Sequence, residues 1–284
     1  METTVYTTLI STQELAHHLS DPNWVIVDCR FDLSDKEWGE EEYQQLHIPG
    51  AVYAHQERDL CGEITPLTGR HPLPVPADFI QAMRRLGISN AQQVVVYDST
   101  GGGMAARLWF LLKYYGHEAV ALLDGCLPAW LSEGRPISEG SETRPAGNFE
   151  GGPVDGMVVF ADEVKAMLHE PQRVLIDSRA PERYRGEVEP IDPVAGRIPG
   201  ARNRFYGDNL DASAHFRPAE ELRAAFLKVF NGLPAQDVVF YCGSGTTACH
   251  NLLAAAYAGL PMPRIYIGSW SEWIRDPSHP VEKG

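Results

Sequence analysis

Short continuous apolar runs alternate with longer amphipathic stretches along this chain, and that alternation is the first guide to its fold. The run at 25–30 is rich in β-branched residues, which predicts a buried strand. Apolar residues recur at helical spacing over 78–86, and Ser11 with Glu14 has the form of a capping box that opens a short helix to Leu19. Short strands alternating with helices predict an α/β fold in which mainly parallel sheets are flanked by helices.

The same succession of motifs occurs twice. Asp28-Cys29-Arg30 recurs about 150 residues later as Asp177-Ser178-Arg179. The tetrapeptide Ile-Pro-Gly-Ala at 48–51 recurs unchanged at 198–201. Because such landmarks recur in one order, the sequence predicts two tandem domains of the same fold.

The region between the two copies is rich in Gly, Pro, Ser and Glu, a composition typical of a linker. The resulting prediction is an N-terminal domain over 1–137, a linker over 138–156 and a C-terminal domain over 157–284. With 284 residues, of which 44% are hydrophobic and 22% charged, the chain can bury two cores of ordinary size.

The charge and the N-terminal sequence limit the partners and the cellular location expected for this chain. It carries 24 Lys and Arg against 38 Asp and Glu, a net charge of −14, so attraction to nucleic acid or to an anionic membrane is not expected. Residues 1–6 contain neither the basic nor the apolar part of a leader, and no apolar run approaches the ~20 residues of a membrane span. We expect a cytoplasmic protein without nucleic-acid or membrane partners.

The cysteines are scattered, without a Cys-x-x-Cys pair or a metal-ligand spacing to a histidine. They are Cys29, Cys61, Cys126, Cys242 and Cys249. Such a set predicts neither a disulfide framework nor a zinc site. Residues 99–103 form a Gly-rich turn, but they lack the P-loop lysine and the dinucleotide-binding spacing. We therefore expect no metal, nucleotide or other cofactor.

Cys242 ends the β-branched and aromatic run 238–241, and a Gly-rich loop separates it from an Ala/Leu-rich helix. In such a place the amides of 243–247 converge on the sulfur, and the positive end of the helix favours thiolate over thiol. A buried strand-end cysteine is the alternative, although two glycines around Ser244 would add nothing to an apolar core. In the first repeat Asp98 takes the corresponding place, so the predicted nucleophile belongs to the C-terminal domain.

The loop 242–248, Cys-Gly-Ser-Gly-Thr-Thr-Ala, resembles the active-site loop of the 3-mercaptopyruvate sulfurtransferases in the rhodanese superfamily. Thiosulfate-type rhodaneses carry basic side chains directly after the cysteine. Here the neutral pair Gly243 and Ser244 offers a sulfonate no charge partner. A cysteine phosphatase would need an arginine six places after the cysteine to bind phosphate, and Ala248 stands there.

The resemblance implies roles for particular side chains. It implies that Ser244 acts with His71 and Asp59 of the N-terminal domain as catalytic residues, while Arg183 binds the anionic group of the substrate. The loop residues implied to contact the substrate are Gly243, Gly245, Thr246 and Thr247. For His71 and Asp59 the open alternative is a pair of solvated residues in a polar loop.

One position departs from the pattern of this family. Mercaptopyruvate-type members carry a second arginine directly after a Glu-Pro pair, whereas this chain has Ile191 there, followed by Asp192. Arg185 and Arg197 are the candidates to replace that arginine.

The implied function is a two-step sulfur transfer. A small-molecule donor, 3-mercaptopyruvate, leaves its sulfur on Cys242 as a persulfide, and a thiol acceptor such as reduced thioredoxin, or cyanide, removes it. One alternative is the same chemistry with thiosulfate as the donor. Another, of a different class, is a non-catalytic rhodanese-like module that binds a partner or senses redox state through Cys242.

Overall fold

The computed structural model describes residues 4–284 with the exception of His169 and Pro171, and the chain divides into two compact units. Unit 1 comprises Met1–Gly62, Pro74–Val154 and Ala212–Phe216, and unit 2 comprises Glu63–Leu73, Asp155–Asp211 and Arg217–Gly284. Residues 1–3, part of the stretch that lacks a leader pattern, lie outside the described residues. The segment 63–73 falls within the sequence range predicted for the N-terminal domain, yet its contacts place it in unit 2.

Unit 1 contains a five-stranded sheet with helices. Its strands are β1 (Leu9–Ile10), β2 (Trp24–Asp28), β3 (Val52–Tyr53), β4 (Gln93–Tyr97) and β5 (Val120–Leu123). Its helices are α1 (Thr12–Ala16), α2 (Trp38–Gln45), α3 (Gln56–Leu60), α4 (Pro76–Arg85), α5 (Ala105–Tyr114) and α6 (Cys126–Ser132). Every strand pairing is parallel, in the order β1-β5-β4-β2-β3.

Unit 2 contains a second sheet of the same design. Its strands are β6 (Val158–Val159), β7 (Val174–Asp177), β8 (Arg202–Asn203), β9 (Val238–Tyr241) and β10 (Arg264–Tyr266). Its helices are α7 (Ala161–Met167), α8 (Pro181–Tyr184), α9 (Ala219–Phe230), α10 (Thr247–Tyr257) and α11 (Ser269–Trp273), with 3₁₀ turns at Tyr206–Asn209 and Ala235–Asp237. The strands are again parallel, in the order β6-β10-β9-β7-β8.

The central strands explain why the apolar runs are continuous rather than alternating. Every residue of β2, β4, β7 and β9 is buried, as expected for parallel strands covered on both faces. The order of strands in unit 2 repeats that of unit 1, strand for strand. The predicted α/β fold and internal repeat are therefore confirmed. Element ends differ slightly from the prediction, since α1 stops at Ala16 rather than Leu19.

The register of the central strands brings the predicted site to one edge of each sheet. Asp28 pairs with Tyr97 in unit 1, and Asp177 pairs with Tyr241 in unit 2. The next residue after β4 or β9 therefore leaves the sheet at its carboxyl edge, where open α/β sheets bind ligands. In unit 2 that residue is Cys242.

The linker predicted from composition is an extended strap along unit 1. The amides of Gly147, Phe149 and Val154 donate to backbone carbonyls of that unit. The Phe149 side chain is fully buried and makes an edge-on ring contact with Phe79. The composition of the linker did not predict this packing. One aromatic side chain and backbone hydrogen bonds anchor the segment, and neither changes its overall content of Gly, Pro, Ser and Glu.

A buried ion pair follows the second strand of each repeat. Arg179 donates to the Asp177 carboxylate at 2.6 and 3.0 Å, and Arg30 donates to Asp28 in the same way. All four side chains are almost completely buried. Burial opposes the charge of Arg179, but the adjacent Asp177 outweighs that effect and raises the pKa of the guanidinium.

We expect Arg179→Met to lower the free energy of unfolding by about 3 to 5 kcal/mol, because it leaves the Asp177 carboxylate buried without its partner. Urea unfolding followed by the fluorescence of the buried Trp270 and Trp273 would measure the change. Arg185→Met is the matched control. Arg185 is exposed and pairs with Glu187, so its loss should leave the urea midpoint nearly unchanged. Equal urea midpoints for the two variants would contradict the prediction.

In the part of the chain that the structure describes, no helix is both long enough and apolar enough to span a membrane.

Candidate active site

Cys242 follows β9 and faces the start of α10. Its side chain is 1% exposed, and its Sγ accepts a hydrogen bond from the amide of Gly245 at 3.1 Å. Gly245 has φ +79°, a conformation that glycine adopts without strain, and this turn directs its amide at the sulfur. The predicted strand, loop and helix are in place, with α10 beginning at Thr247. An amide donor at the sulfur is the contact that stabilises a thiolate.

The backbone of the loop is held by the first residues of α11. The amide of Cys242 donates to Ser269 Oγ at 3.1 Å, and the Cys242 carbonyl accepts from the amide of Trp270 at 3.0 Å. The Gly243 carbonyl accepts from the amide of Ser271 at 2.8 Å. These three bonds hold the sulfur-bearing residue in one backbone position before any substrate binds.

Ser244 and His71 are in direct contact. Ser244 Oγ lies 2.8 Å from Nδ1 of His71, and Thr246 Oγ1 lies 3.2 Å from the same nitrogen. All three side chains are buried, so the alternative of solvated loop residues is wrong for His71. The contact between Thr246 and the imidazole was not foreseen from sequence, because a hydroxyl in a Gly-rich loop does not reveal which side chain it meets.

The segment 63–73 brings His71 to the loop by close backbone packing. A Cβ atom built on Gly69 would lie 2.6 Å from the Gly268 carbonyl oxygen, so only glycine fits there. The amide of Arg70 donates to Ser271 Oγ at 3.0 Å. The start of α11, together with Gly268 before it, therefore holds both Cys242 and the segment carrying His71.

Arg183 lies beside the loop in a network of buried carboxylates. Its guanidinium donates to Glu189 at 2.6 and 3.2 Å and to Asp192 at 3.3 Å. Arg70 also donates to Asp192. Asp192 therefore bridges two arginines, one of which the sequence did not identify as a site residue. The one sequence feature that could have indicated Arg70 as a site residue is its position next to His71.

Burial and ion pairing act in opposite directions on the two carboxylates. Burial raises the pKa of Asp192 above its ordinary value, although Arg70 works against this effect. Burial also acts to raise the pKa of Glu189, but hydrogen bonds from Arg183 and from the Asp192 amide outweigh it, so that pKa is lowered. Glu189 is thus a well-stabilised anion that orients Arg183.

Other candidate residues lie in other networks. Asp59 belongs to unit 1, where its carboxylate accepts from Arg85 and from the amide of His55. Arg185 pairs with Glu187 at the surface, and Arg197 contacts Glu282 together with the Gly284 carbonyl. Arg185 and Arg197 are therefore held by other partners, whereas the guanidinium groups placed at Gly243 are those of Arg70 and Arg183.

The corresponding loop of unit 1 is filled by its own carboxylate. Asp98 is 1% exposed and accepts hydrogen bonds from four backbone amides at 2.7 to 3.0 Å, those of Thr100, Gly102, Met104 and Ala105. The loop of unit 1 thus binds an anion, and that anion is its own side chain. No thiol is present at that place, so the predicted nucleophile has no counterpart in this loop.

Within the described residues, no group of three or more His, Cys, Asp or Glu side chains is arranged to hold a metal ion. The five cysteines are free thiols.

The geometry around Cys242 is typical of enzymes that carry a transferred group covalently on cysteine: an amide donates to the sulfur, and a hydroxyl of the same loop contacts an imidazole. Comparison with known proteins assigns the chain to a family. A rhodanese-like domain model matches it twice, over residues 11–133 and 160–276. The chain belongs to the rhodanese-like family and is a sulfurtransferase with two such domains.

Several similar proteins match nearly the whole chain. A probable 3-mercaptopyruvate sulfurtransferase of Pseudomonas aeruginosa is 46% identical over 278 residues, which are 97% of this chain and 98% of that protein. A putative thiosulfate sulfurtransferase of Mycobacterium tuberculosis, SseB, is 37% identical over 97% of both chains. The crystal structure of the Escherichia coli 3-mercaptopyruvate sulfotransferase SseA superposes with a TM-score of 0.81 at 33% identity, covering 94% of this chain and 100% of that one.

Proposed function

We propose that this sulfurtransferase takes sulfane sulfur from 3-mercaptopyruvate. The Cys242 thiolate attacks the thiol sulfur of the donor, the S–S bond forms as the C–S bond breaks, and the electron pair of that bond leaves on pyruvate enolate. Cys242 then carries a persulfide, and protonation of the enolate completes pyruvate. The amide of Gly245, 3.1 Å from the sulfur, is placed to stabilise negative charge there.

The second step returns the enzyme to its starting state. The thiolate of an acceptor attacks the outer sulfur, which leaves with the acceptor as a new persulfide, and Cys242 is released as thiolate. A reduced thiol protein such as thioredoxin is the acceptor class we propose, with cyanide acting in the same way to give thiocyanate. Neither nucleic acid nor a membrane is needed as a partner.

The contact between Ser244 and His71 is the observation that carries this proposal. An enolate leaving group needs a proton, and a hydroxyl 2.8 Å from an imidazole nitrogen can deliver one while histidine replaces it. Thiosulfate would release sulfite, which needs no such proton. We assign general acid–base roles to Ser244 and His71. For Asp59, whose carboxylate accepts from Arg85 and from the His55 amide in unit 1, the catalytic role implied by the family resemblance stays a prediction.

The remaining loop residues and Arg183 would bind the donor. Arg183 is oriented by Glu189, and its planar fork suits a carboxylate. Gly243, Gly245, Thr246 and Thr247 supply the backbone around the sulfur, close to the positive end of α10.

The test is a comparison of kcat/KM for 3-mercaptopyruvate and thiosulfate on one purified sample, with cyanide as acceptor. General acid–base catalysis contributes about 100-fold or more where it operates, so we expect 3-mercaptopyruvate to be preferred at least about tenfold. A preference for thiosulfate would reject the proposed donor.

Thiosulfate remains a specific second candidate as donor. The expectation that a sulfonate meets no charge beside Gly243 is corrected by the structure. Guanidinium groups of Arg70 and Arg183 lie there, supplied from outside the loop. The Mycobacterium tuberculosis relative carries a thiosulfate-based name. The donor comparison above decides between the two candidates.

We propose a cytoplasmic location, supported by the free state of all five cysteines, since reducing compartments keep thiols unpaired. Fractionation of cells that produce the protein would check this. Recovery with an oxidising compartment would contradict it.

We expect activity to be independent of added cofactors, because the proposed steps use side chains and backbone amides alone. Prolonged dialysis against a strong chelator should leave kcat unchanged within error. A large loss that a divalent ion restores would show that a metal takes part.

A further inference from the structure

Arg70 and Arg183 both place their guanidinium groups against the residue that follows the nucleophile. A Cβ atom built on Gly243 would lie 3.0 Å from Arg70 Nη2 and 3.7 Å from each Nη atom of Arg183. The bare backbone of Gly243 leaves room for both groups. Two delocalised cations therefore lie one residue away from Cys242.

These arginines have more donors than the surrounding protein has acceptors. Arg70 uses Nη1 to bind Asp192, and its buried Nε has no hydrogen-bond partner among the described residues. Arg183 uses Nε and Nη2 to bind Glu189 and Asp192. A buried N–H group without an acceptor costs free energy, and an oxyanion beside Gly243 would accept from Arg70 Nη2, the donor atom placed there.

The backbone carrying Arg70 is fixed. Its amide donates to Ser271 Oγ, and Ser271 in turn donates its own amide to the Gly243 carbonyl. The same short segment supplies His71 to Ser244. A guanidinium that extends from so constrained a backbone has little freedom to lose when an anion binds, which favours a binding role.

We propose that Arg70 is the second anion-binding residue of this site and that, with Arg183, it holds the carboxylate of the sulfur donor beside Cys242. The proposal rests on the proposed function only in identifying that anion with the donor. Asp192 acts as a positioning residue, because it bridges the two guanidinium groups from their buried side.

Alkylation of Cys242 tests this role without turnover. Iodoacetate carries a carboxylate and iodoacetamide does not, so the ratio of their rates at Cys242, followed by peptide mass, reports anion attraction at the sulfur. Cys242 is 1% exposed, which favours reagents this small. We expect a higher iodoacetate to iodoacetamide ratio than for free cysteine, and we expect Arg70→Met to lower it about tenfold, the loss typical of one charge-assisted hydrogen bond.

Two further variants distinguish a loss of anion binding from a general disturbance of the protein. Arg70→Lys keeps the charge and should give an intermediate ratio, while Arg185→Met removes an exposed arginine paired with Glu187 and should leave the ratio unchanged. Parallel loss of both rates in Arg70→Met would mean that Arg70 only supports the loop, and an unchanged ratio would equally overturn the proposal.

The outcome is independent of the donor assignment. If the ratio depends on Arg70 but 3-mercaptopyruvate is not turned over, the donor is wrong and the anion site stands. If 3-mercaptopyruvate is turned over and the ratio ignores Arg70, the role of Arg70 is rejected and the donor stands.

Discussion

Cys242→Ser is expected to abolish sulfur transfer and to prevent the mass increase of about 32 Da that a persulfide adds after incubation with donor. A serine hydroxyl in the same place stays protonated at neutral pH and is a far weaker nucleophile toward sulfur. We expect turnover to fall by at least about a thousandfold, as when a covalent nucleophile is removed from other enzymes. Intact mass after removal of small molecules, with and without donor, gives the measurement.

The other thiols provide the control. Burial raises the pKa of Cys61 to about 11, so that near pH 8 this thiol is almost entirely protonated. Burial also raises the pKa of Cys29 and Cys126. Cys61→Ser should therefore keep both the adduct and the activity. An adduct that survives in Cys242→Ser, or that maps to another cysteine, would contradict the assignment.

Ser244→Ala is expected to lower turnover of 3-mercaptopyruvate by about 100-fold while changing thiosulfate turnover by less than about threefold. Only the first donor leaves as an enolate that must be protonated, and the serine hydroxyl lies 2.8 Å from the His71 imidazole. Steady-state kcat with each donor, at saturating cyanide, measures the two effects side by side.

Thr246→Val is the matched comparison for Ser244→Ala. It removes the other hydroxyl near His71, which lies farther from Nδ1 at 3.2 Å, so we expect a smaller loss with 3-mercaptopyruvate. Equal losses with both donors in Ser244→Ala would mean that Ser244 shapes the loop and moves no proton.

The fold was accessible from sequence because its signals are local. Buried parallel strands have continuous apolar runs, and the repeat of Asp-x-Arg and Ile-Pro-Gly-Ala motifs reveals a unit used twice. The local surroundings of the predicted nucleophile were accessible for the same reason. A strand end, a Gly-rich loop and a helix start are contiguous, so their geometry around Cys242 follows from a few successive residues.

The residues around the sulfur depend on contacts between distant parts of the chain. Arg70 is 122 positions from the Asp192 that it binds, and the sequence suggested Arg185 and Arg197 in its place. In the sequence alone, Arg70, Arg185 and Arg197 each contribute one positive charge, and nothing there shows which of them lies at the loop. The close approach of Gly69 to the Gly268 carbonyl and the bond from the Arg70 amide to Ser271 bring the Arg70 guanidinium to the loop.

The sequence by itself therefore determined the repeated α/β fold, the strand, loop and helix around Cys242, and the absence of a thiol from the place in the first copy where Asp98 stands. The tertiary structure alone decided that Asp98 fills its own amide loop, that Thr246 joins Ser244 at His71, and that Arg70 lies beside Gly243. The reason is physical. Backbone conformation and burial follow from neighbouring residues, whereas the partner of a charged or hydrogen-bonding side chain is set by which distant segments pack together.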